Sequence, residues 1–282
     1  MTPFIIFTIS FIMVPVLILY VTFNIRQFAL YYAASLFIVF LLAGWQGAFL
    51  ISVSLFFLPP VFVMGNFYKR KAAARSAITA GTVTLLGESL LSLVIAYAFG
   101  FNPITKFKNL MSDYVHSLPA SLRELLPRDQ DMYINLVMQG IPLYLILFSL
   151  FYVFFTHGFS RWLMKKTGNP LPGLPPIREW ILPKSFVWIY LIAFVIDLFT
   201  VQTSNSLIAT LLMNLLPLLV TAFAVQAISF LFFVAYVKKW NVALPIVGIL
   251  VLVFLPPVLF IYSLLGVFDV AFPIRERLKK KL

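Results

Sequence analysis

One carboxylate in the middle of a long apolar stretch is the group in this chain most suited to bind a ligand or to carry a proton. Glu88 lies within AGTVTLLGESLLSLVIAYAFG, where a charge is costly and normally faces protein or water. At helical spacing, Thr84 and Ser92 share its face. The stripe predicts a ligand, cation or proton site inside a helical bundle; the alternative is a hydrogen-bonded contact between helices.

A second polar stripe occurs in a later apolar stretch. Asn214 and Thr221 fall on one helical face together with Thr210 and Pro217. Asn and Thr side chains pair across membrane helices, and proline frees a backbone carbonyl. The face is predicted either to line a polar cavity, with Asn214 and Thr221 as ligand-binding groups, or only to support packing.

Residues for hydrolytic, covalent or metal chemistry form no recognisable pattern. The chain has no cysteine, and its two histidines, His116 and His157, belong to connections predicted on opposite membrane faces. Zinc-protease, serine-hydrolase and phosphate-loop motifs are absent from the sequence. We therefore predict that the protein is not an enzyme and holds no metal or cofactor. Active transport would need an ion gradient or a partner ATPase.

The sequence Pro-Ile-Arg-Glu occurs twice, each time after an apolar stretch, in LPPIREWILPKSF and in GVFDVAFPIRERLKKK. Proline suits the first turn of a helix and an acidic residue favours its N-terminus, so each copy predicts a short helix at the membrane interface. With both copies on one side, Arg178 could pair with Glu276 and Arg275 with Glu179. The predicted interface residues are Pro176, Arg178, Glu179, Trp180, Asp269, Pro273, Arg275 and Glu276.

The composition places all of these residues in a lipid-embedded protein. Apolar residues make up 62% and charged residues 11% of the 282-residue chain, and the mean hydropathy is +1.01. Soluble domains hold about 45–50% apolar and about 25% charged residues. Because lipid offers no partner to unpaired backbone groups, the spans must be helices. The prediction is an all-α, polytopic integral membrane helical bundle.

About eight transmembrane helices are predicted within a single transmembrane domain, residues 1–282. The first stretch lacks a basic leader and a cleavage site, so it is interpreted as a retained span. Each stretch is close to or longer than the length of about 20 residues that crosses a hydrocarbon core. The predicted spans are 4–23, 28–43, 47–66, 77–101, 133–156, 186–201, 208–237 and 242–266.

Basic residues predict which connections face the cytoplasm. Lys and Arg concentrate at residues 69–75, 161–184 and 238–239, which are assigned to the inside, where they meet anionic lipid headgroups. The net charge of +12 therefore indicates lipid and not nucleic acid. The basic tail, residues 267–282, conflicts with this scheme, because eight spans place it outside. A turn back at Pro256-Pro257 places it inside but leaves two halves too short to cross fully.

The connection on the outer side is predicted to be amphipathic. Over residues 103–126, apolar side chains recur every three or four positions, which predicts a helix on the membrane surface. After Pro119, Ser121 and Glu124 have the spacing of a capping box for a second short helix. The helix pair is interpreted either as a cap over a binding cavity or as a hydrophobic connector.

Three stretches, FFLPPVFVMGNFYKRKAAARSAITAGTVTLLGE, PPIREWILPKSFVWIYLIA and GVFDVAFPIRERLKKK, resemble the YybS family of bacterial polytopic membrane proteins of unknown function. The resemblance covers nearly the whole chain and implies no catalytic residues. Its members usually carry another apolar helix before the region matching Met1, so a preceding helix is expected. The membrane pattern is remotely similar to the S-components of energy-coupling-factor transporters and to the morphogenetic protein MreD. It implies a multi-pass protein of the bacterial cell membrane.

Three functions are compatible with the sequence. The first is a non-catalytic small-molecule-binding or uptake protein of S-component type, without its own ATPase, which implies a membrane-protein or ATPase partner. It is motivated by the Glu88 stripe, the amphipathic cap and the lack of an ATPase motif. The second is a membrane scaffold for envelope or signalling partners, and the third is a proton-coupled secondary transporter using Glu88.

Overall fold

The computed structural model describes residues 11–119, 122, 129–200 and 206–280. These residues form α-helices and one 3-10 turn, Ile177–Glu179, with no strand among them, which confirms the all-α class. The α-helices are α1 (Met13–Thr22), α2 (Ile25–Phe56), α3 (Leu58–Lys69), α4 (Ala74–Ala98), α5 (Pro103–Ser117), α6 (Gln130–Gln139), α7 (Ile141–Lys166), α8 (Lys184–Thr200), α9 (Ser206–Val237), α10 (Ala243–Phe254), α11 (Val258–Ala271) and α12 (Ile274–Lys280).

Four of these helices are long and apolar enough to cross a membrane by length and composition. They are α2, α4, α7 and the Leu207–Val237 part of α9. Helices α1, α10 and α11 are apolar but shorter, with 10, 12 and 14 residues. The chain is therefore a multi-pass helical membrane protein.

Contacts within the chain divide it into two compact units. Unit 1 comprises Met1–Arg128 and Tyr144–Leu174, and unit 2 comprises Asp129–Leu143 and Pro175–Leu282. Uniformly high hydropathy identifies the helices but not their neighbours, because lipid-facing and protein-facing surfaces are both apolar. For this reason the division was not visible in the sequence.

In unit 1, helix α2 folds back on itself at Gly44, which has a positive φ of 54° that glycine adopts without steric cost. The hydroxyls of Tyr32 and Ser54 lie 2.8 Å apart. In a straight helix these residues would be about 33 Å apart. The two arms correspond to the predicted span 28–43 and to the start of the span 47–66, which continues through α3.

Close approach of helices builds the core of unit 1. Gly65 of α3 lies against the ring of Tyr20, so that even a β-carbon would overlap it. Near the end of α3, the hydroxyl of Tyr68 is 2.7 Å from Nδ1 of His157, and both residues are buried. Helices α1, α3, α4 and α7 thus share one apolar core, with this polar contact packed at the end of α3.

Two predicted spans are interrupted in the structure. The span 133–156 breaks at Gly140, between α6 and α7, and α7 continues to Lys166, beyond the predicted end. Pro142 has no N–H, so it fits only the first turn of α7. The span 242–266 breaks at Leu255, whose φ and ψ of −124° and 74° are not helical, immediately before Pro256-Pro257.

In unit 2, α10 and α11 form a hairpin and α11 runs parallel to α9. The hydroxyl of Tyr262 donates to the carbonyl of Gly248 at 3.0 Å, although a straight helix would separate them by about 21 Å. Gly266 of α11 lies against the backbone of Phe223 of α9. Asp269 and Gln226, each three residues further along its helix, are hydrogen-bonded to each other, so the two helices run in the same direction. The chain therefore dips and returns, and the tail lies at the same end as residues 175–183.

The amphipathic segment that the sequence predicts on the outer side is described in part. Helix α5 begins after Asn102, whose side chain accepts a hydrogen bond from the N–H of Thr105 at 3.1 Å. This capped helix covers residues 103–117 of the predicted segment 103–126. Ser121 and Glu124, the predicted capping box, lie outside the described residues.

Candidate functional site

The predicted stripe around Glu88 lies on one face of α4 in unit 1. The hydroxyl of Thr84 donates to the carbonyl of Ala80 at 2.8 Å, and that of Ser92 donates to the carbonyl of Glu88 at 2.8 Å. Both hydroxyls thus bond within their own helix. The Glu88 side chain is half-buried, and its Oε2 has no hydrogen-bond partner among the described residues.

The second stripe lies in unit 2, where Asn214 bridges the break between α6 and α7. Its Oδ1 accepts from the N–H of Leu143 at 2.9 Å, and its Nδ2 donates to the carbonyl of Gln139 at 2.9 Å. Helix ends leave such backbone groups without intrahelical partners. Thr221 is exposed and donates to the carbonyl of Pro217 at 2.7 Å, within its own helix. The described contacts of Asn214 are therefore those of a connector between helices.

The second Pro-Ile-Arg-Glu copy contains a buried ion pair. Nε and Nη2 of Arg275 lie 2.9 and 2.6 Å from Oδ1 and Oδ2 of Asp269. The pairing requires the break between α11 and α12, where Phe272 is extended with φ −112° and ψ 150° and Pro273 follows. The break turns Arg275 back toward Asp269, and only 9% and 6% of the two residues remain exposed.

Arg275 also joins the second copy to the first. Its Nη1 donates to the carbonyl of Arg178 at 2.8 Å, and its Nη2 donates to the hydroxyl of Ser229 at 3.1 Å. The Ser229 hydroxyl in turn lies 2.7 Å from the carbonyl of Ile177 and 2.8 Å from that of Trp180. The two copies are thus held together through one guanidinium and one serine of α9.

Gln226 completes this polar network from the same helix. Its Nε2 donates to Oδ2 of Asp269 at 2.5 Å and lies 3.3 Å from the carbonyl of Trp180. Its Oε1 accepts from the N–H of Leu182 at 3.0 Å. A buried carboxylate needs several donors in addition to its counter-charge, and Gln226 supplies one of them.

The cross-pairs predicted between the copies are absent from the described ion pairs. Arg275 pairs with Asp269, because that carboxylate is buried beside it and Glu179 is exposed. Arg178 instead stacks on Tyr236, with its guanidinium carbon 3.8 Å from the ring centroid. Its Nε is 3.9 Å from Oε1 of the adjacent Glu179, too far for a hydrogen bond. The second copy begins the short helix α12, as predicted. The first copy forms only one 3-10 turn, which is shorter than the interfacial helix predicted for it.

Between the two copies lies a cavity of about 530 Å³, which we call the motif cavity. It is formed by residues of the first copy, the end of α9, the end of α11 and the tail. The lining residues are Arg178, Glu179, Ile181, Lys184, Phe233, Tyr236, Val237, Asp269, Val270, Phe272, Pro273, Arg275, Glu276 and Lys279. Most of the interface residues predicted from the two motif copies therefore meet in one place.

The family model described as "Predicted membrane protein (DUF2232)" matches residues 1–270. The chain belongs to this DUF2232 family. It is also 23% identical over 258 residues to "Uncharacterized protein YybS" of Bacillus subtilis (strain 168), covering 88% of this chain and 81% of that protein. These matches confirm the YybS resemblance. No solved structure matches the chain.

In this DUF2232 protein, the sequence analysis did not identify the two α9 residues, Gln226 and Ser229, that hydrogen-bond to both Pro-Ile-Arg-Glu regions. Gln226 and Ser229 are 2% and 0% exposed and lie three positions apart, on one face of α9. The available signal was their polarity within TAFAVQAISFLFF, an otherwise apolar segment. In a membrane helix such residues normally face a neighbouring helix or a cavity, and this rule would have selected them.

Proposed function

We propose that this protein is a non-catalytic small-molecule-binding component of the bacterial cell membrane, similar in kind to an S-component, and that its binding site is the motif cavity. The observation that supports this proposal is the cavity itself. Small-molecule sites usually have volumes of about 300–1,000 Å³ and combine apolar walls with a few placed polar groups. The motif cavity has about 530 Å³, and its walls mix aromatic and charged side chains.

A rigid frame around the cavity is the second support. The buried network of Arg275, Asp269, Gln226 and Ser229 fixes the backbone on both sides of the cavity. A pre-formed site loses less conformational entropy when its ligand binds. Binding alone needs no energy source, whereas uptake would require one. We propose that a partner, a membrane-bound ATPase, supplies it.

The absence of native cysteine allows a direct test. A single cysteine at Ile181, which lines the cavity, is reacted with a maleimide in membranes that contain the full chain. We expect a fraction of bacterial cytosolic solutes below about 1 kDa to slow the reaction severalfold. A matched cysteine at exposed Lys238, which does not line the cavity, should react at an unchanged rate. An unchanged rate at Ile181→Cys in every fraction, or the same slowing at both positions, would contradict the proposal.

The Glu88 alternative makes a different prediction. If the ligand or proton site lay on α4, no fraction would protect Ile181→Cys, either in the parent chain or in Glu88→Gln. On our proposal Glu88→Gln leaves the protection at Ile181→Cys unchanged, because Glu88 belongs to unit 1 and the motif cavity to unit 2.

A further inference from the structure

The charges that line the motif cavity are not all neutralised within it. Four cations and three carboxylates contribute to the lining: Arg178, Lys184, Arg275, Lys279, Glu179, Asp269 and Glu276. Arg275 and Asp269 neutralise each other, and four of the five N–H donors of Arg275 bond to Asp269, Ser229 and the carbonyl of Arg178. Three cations therefore remain against two carboxylates that lie on exposed residues.

The guanidinium of Arg178 has N–H groups available to bind an anion. Stacking on Tyr236 occupies the face of its guanidinium and leaves the N–H groups, which lie in the guanidinium plane, for a ligand. Glu179 forms only a long, exposed ion pair with it, with Oε1 3.9 Å from Nε, and no described hydrogen bond occupies the N–H groups of Arg178. Lys184 and Lys279 form no ion pair or hydrogen bond through their ammonium groups with the described part of the chain; Lys279 lies 5.7 Å from the ring of Phe233.

The other walls of the motif cavity are apolar. Phe233, Tyr236 and Phe272 contribute aromatic rings, and Ile181 and Val270 contribute aliphatic side chains. Aromatic residues and long cationic side chains together are typical of the level of the membrane headgroups. Such walls suit a ligand with an anionic head and offer additional contacts to an apolar or ring-shaped body.

We propose that the motif cavity binds the phosphate group of a phosphate ester, held by Arg178 and Lys184, with Lys279 adding positive charge at the rim. This inference rests on the proposed binding function and adds the chemical class of the ligand. Arginine is well matched to phosphate because its planar donors reach two oxygens at once. The phosphate can belong to a phospholipid headgroup or to a soluble phosphate ester, and the cationic groups would recognise both.

The test uses the purified, delipidated full chain and native mass spectrometry. Three probes are compared: dioleoyl phosphatidylglycerol, dioleoylglycerol with the same acyl chains and no phosphate, and glycerol 3-phosphate. We expect phosphatidylglycerol or glycerol 3-phosphate to be retained and dioleoylglycerol not. Retention of the lipid alone assigns the source to the bilayer, whereas retention of glycerol 3-phosphate assigns it to a soluble ester; both support the proposal.

Matched variants show where the phosphate binds. The double substitution Arg178→Gln and Lys184→Gln should weaken binding by at least about tenfold, since hydrogen bonds to charged groups are lost. It leaves the Arg178 carbonyl, and hence the bond from Arg275, in place. The control, Lys238→Gln with Lys239→Gln, removes the same charge from the nearby turn outside the cavity and should change affinity by less than about twofold. Equal losses in both variants would overturn the proposal.

The outcomes also separate this inference from the proposed function. If none of the three probes binds but cytosolic solutes still protect Ile181→Cys, the cavity binds a ligand of another class and only the phosphate assignment fails. If no probe binds and no fraction protects that cysteine, both proposals fail. Retention of dioleoylglycerol as strong as that of phosphatidylglycerol likewise overturns the phosphate assignment, because the acyl chains would then suffice.

Discussion

The carboxylate of Asp269 and the guanidinium of Arg275 form a buried ion pair across the break that ends α11, with Nη2 2.6 Å from Oδ2. The pair is six residues apart in sequence, which a continuous helix would place on different faces. It exists because Phe272 is extended and Pro273 follows. The pair orients Arg275 so that its Nη1 donates to the carbonyl of Arg178, which joins the C-terminal copy of the motif to the first copy beside the motif cavity.

Removing one member of this pair should strongly destabilise unit 2. Asp269→Asn leaves the Arg275 guanidinium buried without its counter-charge, and breaking a buried pair in this way costs about 3–5 kcal/mol. We expect a clearly lower melting temperature of the purified chain in detergent. The control is Glu276→Gln, which removes an equal charge from an exposed residue of the same segment and should leave the melting temperature nearly unchanged.

A double-mutant cycle sharpens this prediction. Asp269→Asn combined with Arg275→Gln removes both charges, so the combined loss should be smaller than the sum of the single losses. Simple additivity of the two substitutions would show that the two side chains are not coupled, against the geometry of the pair.

The close contact between α9 and α11 predicts that a single added methyl group at Gly266 lowers the stability of the protein. A β-carbon at Gly266 would overlap the carbonyl of Phe223, which belongs to the backbone and cannot rotate away. Gly266→Ala should therefore cost about 1–3 kcal/mol of unfolding free energy. Gly87→Ala on α4 has no atom within 4 Å of the new methyl group and should be neutral or stabilising by up to about 1 kcal/mol. Equal melting temperatures of these two variants would contradict the close approach of α9 and α11.

Asn214 is predicted to act on stability and not on ligand recognition. Asn214→Ala removes the hydrogen bonds to Leu143 and Gln139, which join α6 and α7 across their break, each contributing about 0.5–1.5 kcal/mol. We expect a fall in melting temperature with unchanged solute protection at Ile181→Cys. Thr221→Val, on the same helix but exposed, should stay within about 0.5 kcal/mol of the parent chain. A loss of protection without a loss of stability would assign Asn214 to the ligand.

The hairpin of α10 and α11 predicts the side of the tail. Single cysteines at Ser185 and Arg277, both exposed in unit 2, should react with a membrane-impermeant maleimide from the same side of intact cells. The basic residues near both positions favour the cytoplasmic side, so we expect reaction only after the membrane is opened. Labelling of one cysteine from outside and of the other from inside would rule out the hairpin.

The sequence by itself determined that the chain is embedded in lipid and that its elements are helices. Its apolar fraction required a lipid-embedded chain, and unpaired backbone groups in lipid required helices. The alternative of a turn at Pro256-Pro257 was also visible, since proline cannot donate to the preceding turn. The two motif copies were recognised as a family marker, and most of their predicted interface residues meet in the cavity.

Only the tertiary structure decided the neighbours of these residues. Charge counting and span length favoured opposite sides for the tail, and the hairpin resolved the conflict by letting α11 return to the end of α9 where the first copy lies. Likewise, the sequence allowed Arg275 to pair with Glu179 if both copies lay on one side, whereas in the structure Arg275 pairs with the buried carboxylate of Asp269. In helices that are apolar on every face, periodicity carries little information about which face meets protein, so pairings of this kind emerge only when the helices pack.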